Sequence, residues 1–276
     1  MTQRPLIAFQ LAADAAYARM CTAMVHAIRH FHPDAPVRLY RPEADREAFA
    51  HLEGKAELLP PPPSTLPFGE FHPLIWTKME AAAWEGPDVV VVLDPDQILY
   101  RPMRELCERF WASDADFGST TDDEDVRHQF RQLPAILEPV ADRAGISSGT
   151  MLIRPSARFY ASLREVAENF AQHAKYPDQA VLNVLAYVTG RWMYFDEVLQ
   201  MPHLSPGILD EAHDACLIHF YTPRPACFGA SPRRAKEESF AEACAEFAEL
   251  TGRPYPEQRV ERDFLVRLEN RLAKAG

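Results

Sequence analysis

The run VVVVLDPDQILYRPM, residues 89–103, opens as a strand with no polar face and then delivers two carboxylates one residue apart, Asp94 and Asp96. So apolar a segment fits a strand buried on both faces. Acids placed where such a strand leaves its sheet must be solvated, hydrogen-bonded or paired with a cation. Two neighbouring acids suit a divalent cation. Asp and Pro are also ordinary turn formers, so Asp-Pro-Asp by itself is equally a strand ending.

Further residues able to do chemistry flank this pair. Lys78 stands on the helix just before the strand, SSGTMLI occupies 147–153, and the pair Asp178-Gln179 is followed in the chain by His219 and the turn Pro223-Arg224-Pro225. Each has a plainer reading beside the functional one. His219 ends an apolar strand, where a histidine can simply be a core residue. Lys78 can pair with Glu80 or Glu85 on a helix surface, Asp178 can cap a helix, and Arg224 can be a solvated turn residue. The acids of 122–125 fit a solvated loop, and Tyr17 falls on a core stripe.

The elements that must position these residues follow from periodicity. Residues 6–11 predict a buried strand. A helix follows, with Tyr17, Met20, Cys21, Met24, Ile28 and Phe31 on one face, and then a strand over 37–40. This βαβ opening predicts a mostly parallel central sheet flanked by helices. A short helix over 44–52 and a strand over 56–59 continue the alternation. Pro60 to Pro63 and the segment to Pro73 predict irregular or polyproline structure. A helix over 77–84 leads into the apolar strand. Further strands are predicted over 115–119, 148–153, 192–195 and 215–220. A helix capped by Ser156 carries the stripe Phe159, Leu163, Val166 and Phe170, another covers 178–188 with Asp178 at its positive end, and C-terminal helices cover 240–250 and 260–272.

Length and composition bound the function. At 276 residues the chain can bury a full core, and it is read as one α/β domain over 1–276, with C-terminal helices from about 238. A formal charge of −11 without a long basic run excludes a nucleic-acid binder. The five cysteines are scattered and never spaced Cys-x-x-Cys, so they read as free thiols in a reducing compartment. The opening residues have too short an apolar core for a signal peptide, and no stretch has the length of a membrane span. A cytoplasmic protein is therefore expected, with peripheral membrane contact left open by the arginine-bearing C-terminal segment.

In order and spacing these segments resemble the retaining glycosyltransferases of family 8, the glycogenin and bacterial lipooligosaccharide galactosyltransferase type, over nearly the whole chain. LAADAAY is similar to the family's first strand and nucleotide-binding turn, TKMEAAAW with VVVVLDPDQIL to its Thr-Lys-Leu helix and Leu-Asp-x-Asp strand, SSGTMLI to its Asn-(Ser/Ala)-Gly strand, DQAVLN to its Asp-Gln-Asp-x-Leu-Asn, and HFYTPRPACF to its His-(Phe/Tyr)-x-Gly-x-x-Lys-Pro-Trp. The resemblance implies a GT-A fold and transfer of a hexose from a UDP-sugar to an unknown acceptor, which is a glycan, a lipid-linked sugar or a protein. It implies Mn²⁺ or Mg²⁺ held by Asp94, Asp96 and His219. It also implies Ala12, Asp14 and Tyr17 at the nucleotide, Lys78 and Arg224 at the phosphates, Ser148 lining the donor site, Asp178 on the sugar hydroxyls, Gln179 beneath the anomeric carbon, and Asp122 facing the acceptor. Ala16, Ser147, Ala180, Thr222 and Cys227 or Phe228 depart from the family's residues. Those departures motivate a second reading, a sugar-nucleotide-binding protein without turnover. A third reading is a haloacid-dehalogenase-type phosphatase with Asp94 as nucleophile, although that family expects its motif near the chain start with Gly-Thr after the second acid, where Gln97-Ile98 stands here.

Overall fold

The computed structural model describes residues 4–63, 73–99, 101–201 and 215–220. The strands are β1 (Ile7–Ala12), β2 (Val37–Tyr40), β3 (Glu57–Leu59), β4 (Val89–Leu93), β5 (Gln97–Leu99), β6 (Phe117–Asp125), β7 (Ala144–Ile153), β8 (Trp192–Tyr194), β9 (Val198–Met201) and β10 (Leu217–Phe220). The α-helices are α1 (Ala18–Phe31), α2 (Arg46–Phe49), α3 (Pro73–Thr77), α4 (Arg104–Ala112), α5 (Ala157–Phe170) and α6 (Pro177–Thr189).

Seven strands form one sheet in the order β3-β2-β1-β4-β7-β6-β8, and a smaller sheet runs β5-β10-β9. The first half of the large sheet is parallel, with β1 between β2 and β4; β7 then runs antiparallel to both β4 and β6, and β8 returns parallel to β6.

The absence of a polar face on β4 has a direct cause. Val89, Val91 and Leu93 point into one core with Phe9, Leu11, Met24 and Ile28, while Val90 and Val92 point into a second with Met79, Met151, Phe159 and Leu182. Alternate side chains leave opposite faces of a strand, and both faces are covered. On the second face Gln10 is fully buried, and its Nε2 donates to the backbone carbonyls of Thr77 at 2.7 Å and Lys78 at 3.3 Å. That bond ties the segment bearing Lys78 to the middle of β1.

Ser156 caps α5, its hydroxyl accepting the Phe159 N–H. The helix expected over 77–84 divides into α3 and a 3-10 stretch, Lys78–Ala83. The acids of 122–125 belong to β6 and not to a loop: that strand continues along β7 through two register shifts. Helix α4 and strands β5 and β9 were not expected. The stretches expected to form C-terminal helices, with Arg224, Cys227 and Cys244, lie outside the described residues, and among the described residues no helix is long and apolar enough to cross a membrane.

Candidate active site

Strand β4 ends at Leu93, and the chain turns at Pro95-Asp96 before β5 begins. The turn and the acid pair are therefore the same feature. The Asp94 N–H donates to the Gly149 carbonyl at 2.8 Å, extending the β4–β7 pairing by one residue. β10 then pairs antiparallel with β5, setting His219 opposite Gln97. One ligand atom each from Asp94, Asp96 and His219 thus falls within 4.8 Å of the others, with His219 Nε2 at 3.5 Å from Asp96 Oδ1. Asp96 and His219 are buried and Asp94 is half-buried.

Gly149 makes this approach feasible. A Cβ there would lie 2.4 Å from His219 Cε1, 2.8 Å from its Nδ1 and 3.1 Å from Gln97 Nε2. Gln97 is itself held by reciprocal bonds with the Thr150 hydroxyl, at 2.9 and 3.1 Å.

Next to the triad, Lys78 Nζ bridges two carboxylates, Asp94 Oδ1 at 2.7 Å and Asp178 Oδ2 at 3.0 Å. Asp178 Oδ2 also accepts the Ser148 hydroxyl at 2.6 Å. Lys78 and Asp178 are nearly buried, so each requires the other. Burial pushes the Lys78 ammonium down, but the two acids outweigh it and lift it above the ordinary lysine value. Burial pushes Asp178 up, but Lys78 and the Ser148 hydroxyl outweigh it and hold the carboxyl below the usual range. Asp94 ends the other way: burial raises it and Asp96 adds to the rise, and Lys78 and His219 only partly offset them. Of these four side chains, three carboxylates against one ammonium leave two negative charges, the complement of a divalent ion. Two carboxylate oxygens with one imidazole nitrogen suit Mn²⁺ or Mg²⁺, the histidine favouring Mn²⁺.

Gln179, one residue along α6 from Asp178, donates its Nε2 to Asp122 Oδ2 at 2.9 Å. Its Oε1 is buried and has no hydrogen-bond partner among the described residues. Asp122 also accepts from Gln129 Nε2 at 3.3 Å.

No protein-family model matches the sequence, and no curated protein matches it. Solved structures do. The galactosyltransferase LgtC, crystallised with donor and acceptor sugar analogues, superposes with a TM-score of 0.54 at 16% identity, covering 84% of this chain and 95% of that one. The bifunctional glycosyltransferase WbbM gives 0.58 at 12% identity, over 87% of this chain and 50% of that one. Mouse xyloside xylosyltransferase 1 gives 0.53 at 14% identity, over 78% and 98%. The chain has the GT-A fold. These neighbours are glycosyltransferases of the family 8 type, the type that the sequence resembles.

In this GT-A sheet the expected residues separate into two places. Lys78, Asp94, Asp96, Ser148, Asp178 and His219 converge, and Gln179 with Asp122 adjoins them through α6. Lys78 does not pair with Glu80 or Glu85; its partners come from the residue just past β4 and from α6. Asp178 is in the first turn of α6, and its carboxylate serves Lys78 and Ser148 as well as the Gln179 backbone N–H. Ala12, Asp14 and Tyr17 lie together at the end of β1. Asp14 caps the 3-10 turn Ala15–Tyr17 by accepting the Ala16 N–H, Asp45 accepts the Ala15 N–H at 2.9 Å, and Tyr17 packs on the core as its stripe position foretells. Arg224 is outside the described residues. Sequence reasoning missed Gln10, Gln97 and Gln129, buried amides that hold the site from behind. The one available signal was a polar residue inside an otherwise apolar strand, as in IAFQLA. The phosphatase reading is not favoured: Asp94 stands in a GT-A sheet, ion-paired to Lys78.

Proposed function

We propose that the protein is a metal-dependent glycosyltransferase that moves a hexose from a UDP-sugar to an acceptor (a glycan, a lipid-linked sugar or a protein) with retention at the anomeric carbon, and that residues 1–276 form a single catalytic domain. The observation that carries this reading is the convergence of Asp94, Asp96 and His219 within 4.8 Å at the rim of the GT-A sheet, beside the Lys78–Asp178 pair. Those three residues would hold Mn²⁺ or Mg²⁺. When bound, the ion supplies positive charge against the negative charge that gathers on a departing nucleoside diphosphate.

The chain's own residues do the rest. Ala12, Asp14 and Tyr17, at the end of β1, would receive the nucleotide. Lys78 would bring positive charge to the phosphates, with Arg224 joining it there. Ser148 lines the donor site and steadies Asp178, whose carboxylate is set to accept hydrogen bonds from sugar hydroxyls. Gln179 would place its carbonyl oxygen beneath the anomeric carbon, and Asp122 would face the acceptor. The family 8 type of the structural neighbours supports these roles, as does LgtC, which was crystallised with donor and acceptor sugar analogues.

The test is a thermal-shift screen of UDP, UDP-glucose and UDP-galactose, with and without Mn²⁺, on wild type and Asp96→Ala. Stabilisation that needs both nucleotide and Mn²⁺ in wild type, and vanishes in the variant, is expected. Equal shifts in both proteins would refute the metal assignment. Slow manganese-dependent hydrolysis of a UDP-hexose is expected as well, and binding without any hydrolysis would mark a carrier instead of a transferase.

A further inference from the structure

Behind Gln179 lies a buried row of amides with one internal polarity. The Ile146 backbone N–H donates to Asn183 Oδ1 at 3.2 Å, which turns Asn183 Nδ2 toward the Gln179 backbone carbonyl at 2.8 Å and toward Gln129 Oε1. Gln129, presenting oxygen there, must present Nε2 at its other end, where it donates to Asp122 Oδ2 at 3.3 Å and to the Ile146 carbonyl at 3.4 Å. Asp122 Oδ2 accepts, so Gln179 must face it with Nε2. Each amide has one end that only donates and one that only accepts. Turning any one over would set oxygen against oxygen or N–H against N–H. A backbone N–H cannot turn over, so Ile146 fixes the sense of the whole row.

We propose that Asn183 and Gln129 are positioning residues which, acting through Asp122, lock the Gln179 side chain with its carbonyl oxygen directed at the reaction centre. Two further observations support it. Gln129 and Asn183 are fully buried, and Gly145 is cut away for Gln129: a Cβ at Gly145 would fall 2.2 Å from Gln129 Nε2 and 2.8 Å from the Glu124 carbonyl oxygen. The row also ends on an acceptor, Gln179 Oε1, that is buried with no partner among the described residues. Folded proteins rarely leave such an atom unpaired without a use for it. A sugar hydroxyl or the electron-poor anomeric carbon would use it. The inference rests on the role given to Gln179 above and adds what aims that residue.

Asn183→Asp is the test. It keeps the side chain's shape but puts an oxygen where Nδ2 stood, so Gln129 must turn over and present oxygen to Asp122. In ¹⁵N-labelled wild type the side-chain NH₂ signals of Gln129, Asn183 and Gln179 should exchange with solvent slowly. In the variant the Gln179 NH₂ should exchange at least tenfold faster and kcat for UDP-hexose hydrolysis should fall at least tenfold, while the Kd for UDP with Mn²⁺ stays within about twofold. A folded variant with wild-type kcat, or with unchanged Gln179 exchange, overturns the proposal. If Asn183→Asp does not fold, Gln129→Glu, which sets a carboxylate against Asp122, is judged by the same readouts. A wild-type Gln179 NH₂ that exchanges like a free amide overturns the proposal without any variant. If wild type hydrolyses neither UDP-glucose nor UDP-galactose, the transferase reading loses its support, and amide exchange still decides whether the relay exists.

Discussion

Gly149→Ala tests the histidine's part in the proposed metal site without replacing Asp94, Asp96 or His219. The added methyl carbon would stand 2.4 Å from His219 Cε1 and 2.8 Å from its Nδ1. Carbon atoms in contact normally keep about 3.5–4.0 Å, so either the ring or the strand must retreat by about 1 Å. Retreat of the strand is opposed by the Asp94 N–H bond to the Gly149 carbonyl and by the β4–β7 ladder. The ring moves instead. Ligand distances in metal sites are held to about 0.2 Å, so a shift of this size removes the imidazole from the set. Affinity for Mn²⁺ in the presence of UDP, titrated by the loss of the free-ion electron spin resonance signal, should fall about 10–100-fold, the range seen when a ligand's support is lost. Overpacking should also cost about 1–3 kcal/mol in urea unfolding. Two comparisons sharpen the result. His219→Ala should lose the same affinity, and the double variant no more. A folded Gly149→Ala protein with wild-type Mn²⁺ affinity would refute the reasoning.

Two more outcomes follow from the same packing. Lys78→Met leaves the nearly buried Asp178 and the half-buried Asp94 without their ammonium, which should cost about 3–5 kcal/mol in urea unfolding at pH 7. The loss should shrink as pH is lowered, because a protonated carboxyl needs no counter-charge; a loss that stays constant with pH would count against the pairing. His32 is buried, accepts the Met103 N–H on Nε2 at 3.1 Å, and has its pKa lowered to about 4, by burial and then by Arg104. An unfolded histidine titrates near about 6.5, so between these values the unfolded chain binds a proton that the folded chain refuses. Stability contributed by the neutral ring is therefore present above pH 6.5 and falls as pH drops, by about 3 kcal/mol at pH 4. Urea unfolding of wild type and His32→Gln at both pH values checks this, and equal acid sensitivity in the two proteins would contradict it.

The middle of the central sheet was legible because β1 and β4 are buried on both faces, an environment that the run VVVVL fits. The ends of α5 were legible for the local reason that Ser156 can cap and the stripe from Phe159 repeats at helical spacing. Elements held by partners were not. β5 and β9 are short and have no pattern of their own; each exists because it pairs with β10. The acids of β6 oppose strand formation by propensity, yet that strand persists because β7 supplies a long partner. Helix α4 places Leu106, Cys107 and Phe110 in the core at helical spacing, a signal present in the chain and passed over. In the site, Asp94 and Asp96 declare themselves because acids at the end of an apolar run demand an explanation. Lys78 is different. Its neighbours in the chain suggest Glu80 or Glu85, whereas its partners are brought by the fold from the residue just past β4 and from α6. Gln129 carries neither charge nor pattern, and Asn183 closes the DQAVLN match without a role attached; only their geometry shows what they hold.

The pairing of β10 has a consequence for how the proposed metal site is inherited. His219 shares no stretch of chain with the two acids; it meets them because β10 is zipped between β5 on one edge and β9 on the other, with Leu217, Ile218 and His219 in step with Leu99, Ile98 and Gln97. Slippage by a single residue would swing the imidazole to the opposite side of the ribbon, leaving the acids with no nitrogen donor although every side chain was intact. Insertions or deletions between 201 and 215 would therefore act as a vernier on the third residue of the proposed metal site: lengths that preserve alignment would be silent, and those that shift it would not.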